Sequence, residues 1–379
     1  MATKKKRNKK YNPKQVSREW LLRELYKAYL AARKHKRHTR DVYLFEMNLM
    51  ENLTQLCEDI IQRRYQPSRG IAFIVRFPVI REIFAAPFRD RIVHHFLYNM
   101  SYGWWDRRLI YDSYSCRIGK GALMGIFRLR HFIRSASKDY QEPAYVLKLD
   151  IQGYFMSLSR EKLHERICWG LEQQYKHNKP MENLMEYLWG QIIFDDPCKG
   201  VKIRGHWSNW SRLPKTKSLF YQKAGYGIVI GNLSSQLLSN IMLDRLDRFI
   251  YYELGYRRYG RYVDDFYIVV RESELEQLKK DIKKIEEFLK DELELILHPK
   301  KRYLQEVHKG VEFLGAVVYP NHLAPSKRFK NNFYKAAAEA GMSFRDADSI
   351  ASYLGLSKHY DAKKFSKRLF DYYGWDYSF

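Results

Sequence analysis

Cysteine is scarce in this chain. Cys57, Cys116, Cys168 and Cys198 lie far apart, with no CxxC pair and no histidine at zinc-ligand spacing. That pattern argues against a disulfide scaffold or a zinc finger, and the four thiols are expected to be reduced. Long apolar runs are missing too: no uncharged stretch approaches the ~20 residues that cross a bilayer, so no membrane partner is expected. The basic run from Lys4 to Lys10 is followed by Tyr11-Asn12-Pro13 rather than an apolar segment. This argues against a secretory signal and predicts a cytoplasmic protein with a basic N-terminal arm over residues 1–15. Negative charge is in deficit. Asp and Glu total 43 against 68 Lys and Arg, and the net charge of +25 is spread along the chain, as in a protein whose partner is a polyanion.

Hydrophobic residues supply 45% of the 379 residues and aromatic ones 16%. That is enough to bury two or three subdomains and to offer stacking surfaces to single-stranded nucleic acid. Apolar positions at helical spacing predict two helices within residues 17–64. Residues 71–79 are rich in β-branched and aromatic types and predict short strands, with Pro78 and Pro87 as brackets. Helices are expected over 89–102 and 123–135, separated by a loop at Gly119 and Gly121. A strand over 145–149 ends in Asp150, and a helix over 160–175 starts at a Ser157 or Ser159 cap. Residues 195–226 are polar, rich in Lys, Ser, Gly and Trp, and too long for an ordinary connection; their role is not legible. A helix over 234–253, two short strands over 257–271, an amphipathic helix over 275–297 and one strand over 312–319 are expected next. The tail after Pro320 reads as helical, basic and aromatic.

Two acids, Asp264 and Asp265, sit between apolar runs in Tyr259-Gly260-Arg261-Tyr262-Val263-Asp264-Asp265-Phe266-Tyr267-Ile268-Val269-Val270, which predicts a hairpin with both at its tip. Adjacent carboxylates raise each other's pKa unless a cation neutralises them, and hard oxygen donors on a rigid turn suit Mg²⁺ with phosphate as co-ligand. A solvated Asp-Asp turn is the plainer alternative. A third acid, Asp150, ends the strand of Tyr145-Val146-Leu147-Lys148-Leu149-Asp150. Phosphoryl transfer by two metals about 3.5 to 4 Å apart asks for such a third carboxylate.

These two segments resemble the catalytic motifs of reverse transcriptases, in the same chain order. Between them, Gly227-Ile228-Val229-Ile230-Gly231-Asn232-Leu233-Ser234-Ser235-Gln236 resembles that family's nucleotide-positioning loop and helix, and Glu312-Phe313-Leu314-Gly315 its primer-supporting motif. The resemblance implies an α+β right-hand polymerase fold with an antiparallel palm sheet. Fingers are expected over 16–144, a palm over 145–320 with the polar insertion 195–226, and a helical thumb over 321–379. It implies that Asp150, Asp264, Asp265 and the Ile151 carbonyl hold two Mg²⁺ ions, with Mn²⁺ an alternative. Arg81 then grips the triphosphate, with Arg76 or Arg89 as further candidates. Phe155 excludes a ribose 2′-hydroxyl, while Ile230, Gly231 and Gln236 contact the dNTP. Phe313, Leu314 and Gly315 support the primer, and Lys300 or Lys301 meets the pyrophosphate. His94-His95 is expected to pack within a helix rather than bind metal.

Ile230 stands where the family most often has Gln, and Ser235-Gln236 where it has Ser-Pro. This Ile-Gly-x-x-x-Ser-Gln pattern, with residues 192–219 and 89–95, is similar to the reverse transcriptases of diversity-generating retroelements. That implies adenine-mutagenised cDNA copied from a template-repeat RNA, a small basic oligomeric accessory protein, and a bacterial or phage origin. The alternatives are a reverse transcriptase of a group II intron, retron or antiviral defence system, or a catalytically idle nucleic-acid scaffold.

Overall fold

The computed structural model describes residues 16–77, 79–342 and 347–373; the basic arm, Pro78 and parts of the expected thumb lie outside the described residues. The chain divides into two compact units: Met1–Arg108 with Phe155–Met242, and Leu109–Tyr154 with Leu243–Phe379. Ten strands occur among the described residues: β1 (Ile71–Val75), β2 (Arg81–Ala85), β3 (Ala144–Asp150), β4 (Lys202–Ile203), β5 (Tyr259–Tyr262), β6 (Asp265–Arg271), β7 (Tyr303–Glu306), β8 (Val311–Phe313), β9 (Ala316–Val318) and β10 (Leu323–Pro325). The fold is α+β. Its sheets are antiparallel apart from the short parallel pairing of β1 with β4.

In the first unit the Ser17 side chain accepts from the Trp20 amide and starts the helix Arg18–Arg33, which buries Trp20, Leu21, Leu25, Ala28 and Tyr29 as their spacing requires. The expected second helix is two, Arg40–Met47 and Leu49–Ile61, because Asn48 leaves helical geometry at φ −127° and ψ 47°. Helix Phe88–Arg108 runs past its expected end and buries Trp105. Ser159, not Ser157, caps the helix Arg160–Gln174. Helix Lys179–Phe194, not among the expected elements, buries Leu184, Met185, Leu188 and Trp189. The sheet of this unit has the order β2-β1-β4.

The second unit holds the four-stranded sheet β5-β6-β3-β7 and the three-stranded sheet β10-β9-β8. The centre of β6, Phe266 to Val270, is buried throughout, as a strand covered on both faces should be. Its core joins Ile126, Leu129 and Ile133 of helix Ala122–Ala136 to Val146, Tyr267, Phe313, Phe329 and Phe333.

Three sequence expectations are corrected here. The helix predicted to reach Leu297 ends at Leu293, where Glu294 takes the left-handed conformation (φ 56°, ψ 34°) and closes the last turn through its amide. The single strand expected over 312–319 is the hairpin β8–β9. Leu314 and Gly315 both have positive φ, 50° and 90°, and a two-residue loop with that backbone matches the twist of an antiparallel pair. The tail after Pro320 begins with β10, which pairs with β9 before helices Lys327–Met342, Ala347–Ser357 and Lys363–Tyr373 follow. Among the described residues no helix is long and apolar enough to cross a membrane, and all four cysteines are free.

Candidate active site

Strand pairing brings the three acids together in the second unit. Asp150 ends β3 and Asp265 begins β6, and the two are direct partners in the antiparallel register. Asp265 also faces Tyr262 across the β5–β6 hairpin. The turn residues are therefore Val263 and Asp264, so the expectation that both acids share the tip is corrected: Asp264 lies on the turn and Asp265 in the strand. This follows from register, since a two-residue loop between β5 and β6 leaves no room for a second acid.

The turn is strained and clamped. Val263 has φ 57°, a left-handed conformation that a β-branched residue rarely adopts. Arg261, fully buried on β5, donates from Nη1 to the Val263 carbonyl at 2.9 Å. Its Nε and Nη2 each reach a different Asp247 carboxylate oxygen at 2.6 Å, and Asp247 is equally buried. Tyr259 adds its hydroxyl to Asp247 at 2.6 Å. Burial opposes the Arg261 charge, but Asp247 outweighs it and holds the guanidinium pKa above its ordinary value. Sequence reasoning missed Arg261 and Asp247 as parts of the site. The available signal was an arginine inside an otherwise apolar strand.

Burial, followed by the charge of Asp150, pushes the Asp264 carboxyl up to about 6. Burial also raises Asp265; Lys148 pulls it back and Asp150 adds to the rise. Lys301 Nζ lies 2.8 Å from Asp150 Oδ2. Local pairing puts it there: the Gln152 amide bonds the Ile296 carbonyl, Ile151 bridges Leu297, and the His298 amide bonds the Asp150 carbonyl. Of the two lysines expected near pyrophosphate, Lys301 thus touches an acid, and Lys300 is exposed beside it with its amide on His298 Nδ1. Phe313 is buried edge-on against Tyr267, at 5.0 Å between ring centroids. Any surface offered by the Phe313-Leu314-Gly315 motif is therefore the Leu314-Gly315 turn.

Among the described residues no trio of carboxylate, imidazole or thiolate groups stands at metal-binding geometry. The donor set nevertheless suits a hard divalent cation. Asp150 and Asp265 are cross-strand neighbours, Asp264 adjoins them, and burial with the charge of Asp150 raises Asp264 and Asp265, a cost that a cation offsets.

The residues expected to meet a nucleotide lie in the first unit. Arg81 opens β2 and is exposed. Three residues on, the Phe84 amide donates to the Ile230 carbonyl at 3.0 Å, and the Ile228 amide donates to the Phe155 carbonyl at 2.9 Å. These bonds draw Phe155, Ile230 and Gly231 to the end of the small sheet. Gly231 has φ 130°, and a Cβ there would stand 2.8 Å from the Phe84 carbonyl oxygen, so only glycine permits this approach. Ile230 and Phe155 are half-buried against the cluster containing Ala72, Phe84 and Trp210. Gln236 is exposed on helix Leu233–Arg248. Arg160 fastens the same loop, with Nε on the Gly227 carbonyl at 2.9 Å and Nη1 on the Asp195 carbonyl at 2.7 Å.

Two of the arginine alternatives are engaged elsewhere. Arg89 binds Asp59 at 2.8 Å and Asp90 at 3.2 Å, and Arg76 bonds Asn209 at 2.6 Å. His94 is buried with Nδ1 2.7 Å from Ser234 Oγ, and burial, with His95 and Arg91 adding, pushes its pKa down to about 3. It is a packed neutral histidine, as expected.

A family model described as reverse transcriptase (RNA-dependent DNA polymerase) matches residues 89–318. No curated protein matches the sequence. Among solved structures, a telomerase from Candida albicans in complex with a fragment of telomeric RNA is 12% identical, with a TM-score of 0.48, covering 82% of this chain and 57% of that one. An apo telomerase from Candida tropicalis is also 12% identical, with a TM-score of 0.45, covering 80% of this chain and 61% of that one. The chain thus spans less than two thirds of the length of either telomerase.

Proposed function

Because the chain belongs to the reverse transcriptase (RNA-dependent DNA polymerase) family, we propose that it is an RNA-templated DNA polymerase that extends a primer with dNTPs. The observation that carries this reading is the pairing of Asp150 with Asp265 beside the Asp264 turn. Asp150, Asp264, Asp265 and the Ile151 carbonyl would hold two Mg²⁺ ions, with Mn²⁺ an alternative. When bound, such a pair activates the primer 3′-hydroxyl and neutralises charge on the departing pyrophosphate. Arg261 and Asp247 keep the Asp264 turn in place. Lys301, paired with Asp150 at 2.8 Å, would be the ammonium nearest the pyrophosphate if a cation held that carboxylate, with Lys300 beside it.

Arg81 supplies a permanently charged fork for the triphosphate. Phe155 packs beneath the sugar and disfavours a 2′-hydroxyl, Gly231 lets the loop backbone approach, and Gln236 reaches the nucleotide from its helix. The Leu314-Gly315 turn, seated on Phe313, steadies the primer. Residues 16–144 act as fingers, 145–320 as palm and 321–379 as thumb.

We further assign the enzyme to a diversity-generating retroelement. Ile230-Gly231 with Ser235-Gln236 supports that assignment, because a branched alkyl chain in place of an amide removes a hydrogen-bonding check on the nascent pair. The partners are then a template-repeat RNA, its mutated cDNA and a small basic oligomeric accessory protein, in the cytoplasm of a bacterium.

Primer extension on a defined RNA with dNTPs and Mg²⁺, followed by sequencing, tests both levels. Errors concentrated at template adenines, and abolished by Asp264→Asn, are expected. Faithful cDNA would move the chain to another bacterial reverse transcriptase. No extension, even with the accessory protein and template-repeat RNA added, would favour an idle scaffold.

A further inference from the structure

The polar segment 195–226 has no part in the chemistry above. It carries seven Lys or Arg against two Asp. It is firmly mounted within the first unit: the buried Glu82 of β2 accepts from Trp210 Nε1, Ser218 Oγ and the Leu219 amide, each at 2.7 Å, and β4 pairs with β1. Three donors satisfy that carboxylate, so its task is anchoring.

What it anchors faces outward. Trp207 is 47% exposed. It lies flat on Trp210, with ring centroids 5.0 Å apart and planes 17° apart, and meets Phe220 edge-on at 5.0 Å. One face of the indole is thus backed by packed rings while nearly half of the residue stays in water, a costly arrangement for so large an apolar group unless something covers it.

The same segment carries cations, and Arg76 bonds its Asn209 two residues beyond Trp207. Lys215 Nζ sits 5.3 Å from the centre of the Tyr221 ring, itself 51% exposed, and Lys217 of the same short turn is exposed. A rigid aromatic face on a segment rich in cations suits a base that stacks and phosphates that follow. A protein partner would need an acidic, flat counterpart to match both features, and a duplex hides its base faces.

We infer that the 195–226 segment is a binding site for single-stranded RNA. An unpaired base stacks on Trp207, and the flanking phosphates meet Lys215 and Lys217. The stacking itself is independent of the polymerase reading; the choice of RNA over DNA rests on it.

The test is fluorescence anisotropy of a short unstructured RNA of mixed sequence, titrated with the full chain over a range of salt. Trp207→Ala should weaken binding about tenfold or more and Trp207→Phe only slightly, while affinity for a blunt RNA duplex stays unchanged. The double variant Lys215→Gln with Lys217→Gln should flatten the slope of log affinity against log salt by about 1.4, the value for two single-strand phosphate contacts. Wild-type affinity in Trp207→Ala together with a wild-type salt slope in the lysine variant would overturn the inference. Should Trp207→Ala lower the melting temperature, the lysine variant decides, since both side chains are exposed and an unchanged slope there rejects the site. Asp264→Asn should bind RNA as the wild type does. Absent extension with intact Trp207-dependent binding would reject the polymerase reading alone, and robust extension without that dependence would reject this site alone.

Discussion

Two ion pairs serve the acids of the second unit, and they are built on opposite principles. Arg261 and Asp247 are both fully buried and joined by two parallel bonds of 2.6 Å. Lys301 meets Asp150 through a single bond of 2.8 Å, with the lysine side chain 56% exposed. The first pair sits in a low-dielectric interior where neither partner can leave without stranding the other. The second is a mobile ammonium in water, easily displaced by a better cation. Around one turn the chain therefore separates a permanent support from an exchangeable neutraliser. Val263 shows why the support is needed: its left-handed backbone persists only while its surroundings hold it.

The contrast can be broken most severely at the acid that the turn presents. Asp264→Asn should lower primer extension by about 10²-fold or more, the scale of losing one charge-stabilising group at a reacting centre, as read from single-turnover rates. It should also alter the pH dependence of stability. The Asp264 carboxyl is raised in the fold from 3.8 to about 6, so its contribution is fully favourable below about pH 4 and is lost as pH rises through about 6. Thermal melts of the cation-free protein across that window should show the loss in the wild type. The Asn variant should show less of it, Asp265 being raised as well, and added Mg²⁺ should reverse it. A wild type insensitive to Mg²⁺ at pH 7 would contradict the assignment of these acids as metal ligands.

Arg261→Met should come next, costing about 3–5 kcal/mol by leaving Asp247 buried and unpaired, as measured by denaturant unfolding. Arg261→Lys keeps the charge but not the fork, and should fall between the two. If both variants unfold like the wild type, the clamp carries no strain from the turn.

Lys301→Ala should cost at most about 1 kcal/mol, yet tighten divalent-cation binding by calorimetry, because a competitor for Asp150 is gone. Weaker cation binding would show that the lysine supports the site rather than occupying it.

The smallest effect is expected at Val263→Gly. Relief of a left-handed β-branched residue is worth about 1–2 kcal/mol, and the added freedom of the unfolded chain offsets about half of that. A destabilised glycine variant would mean that Val263 packing outweighs its backbone strain.

Much of this was legible in the residues themselves. Alternating and apolar runs located β3 and β6, because side-chain period and burial follow directly from residue type. A serine before an apolar-periodic run marked the helix starting at Arg160. Asp150 and Asp264-Asp265 stood out as acids ending or interrupting apolar strands. The breaks were harder. Asn48, Glu294 and the Leu314-Gly315 turn each depart from a smooth pattern through backbone dihedrals, and several residue types at those places would also have allowed the pattern to continue.

The sequence alone determined the chemistry on offer: three carboxylates, a surplus of positive charge and an aromatic supply for stacking, since these depend only on which side chains are present. The tertiary structure alone decided their pairing. That Asp265 faces Asp150, that Asp247 reaches Arg261 under the turn, and that Glu82 bolts the Trp207 segment to a distant strand are matters of register and of which polar groups can be satisfied away from water. Such contacts join residues far apart in the chain, and nothing local to either partner specifies the other.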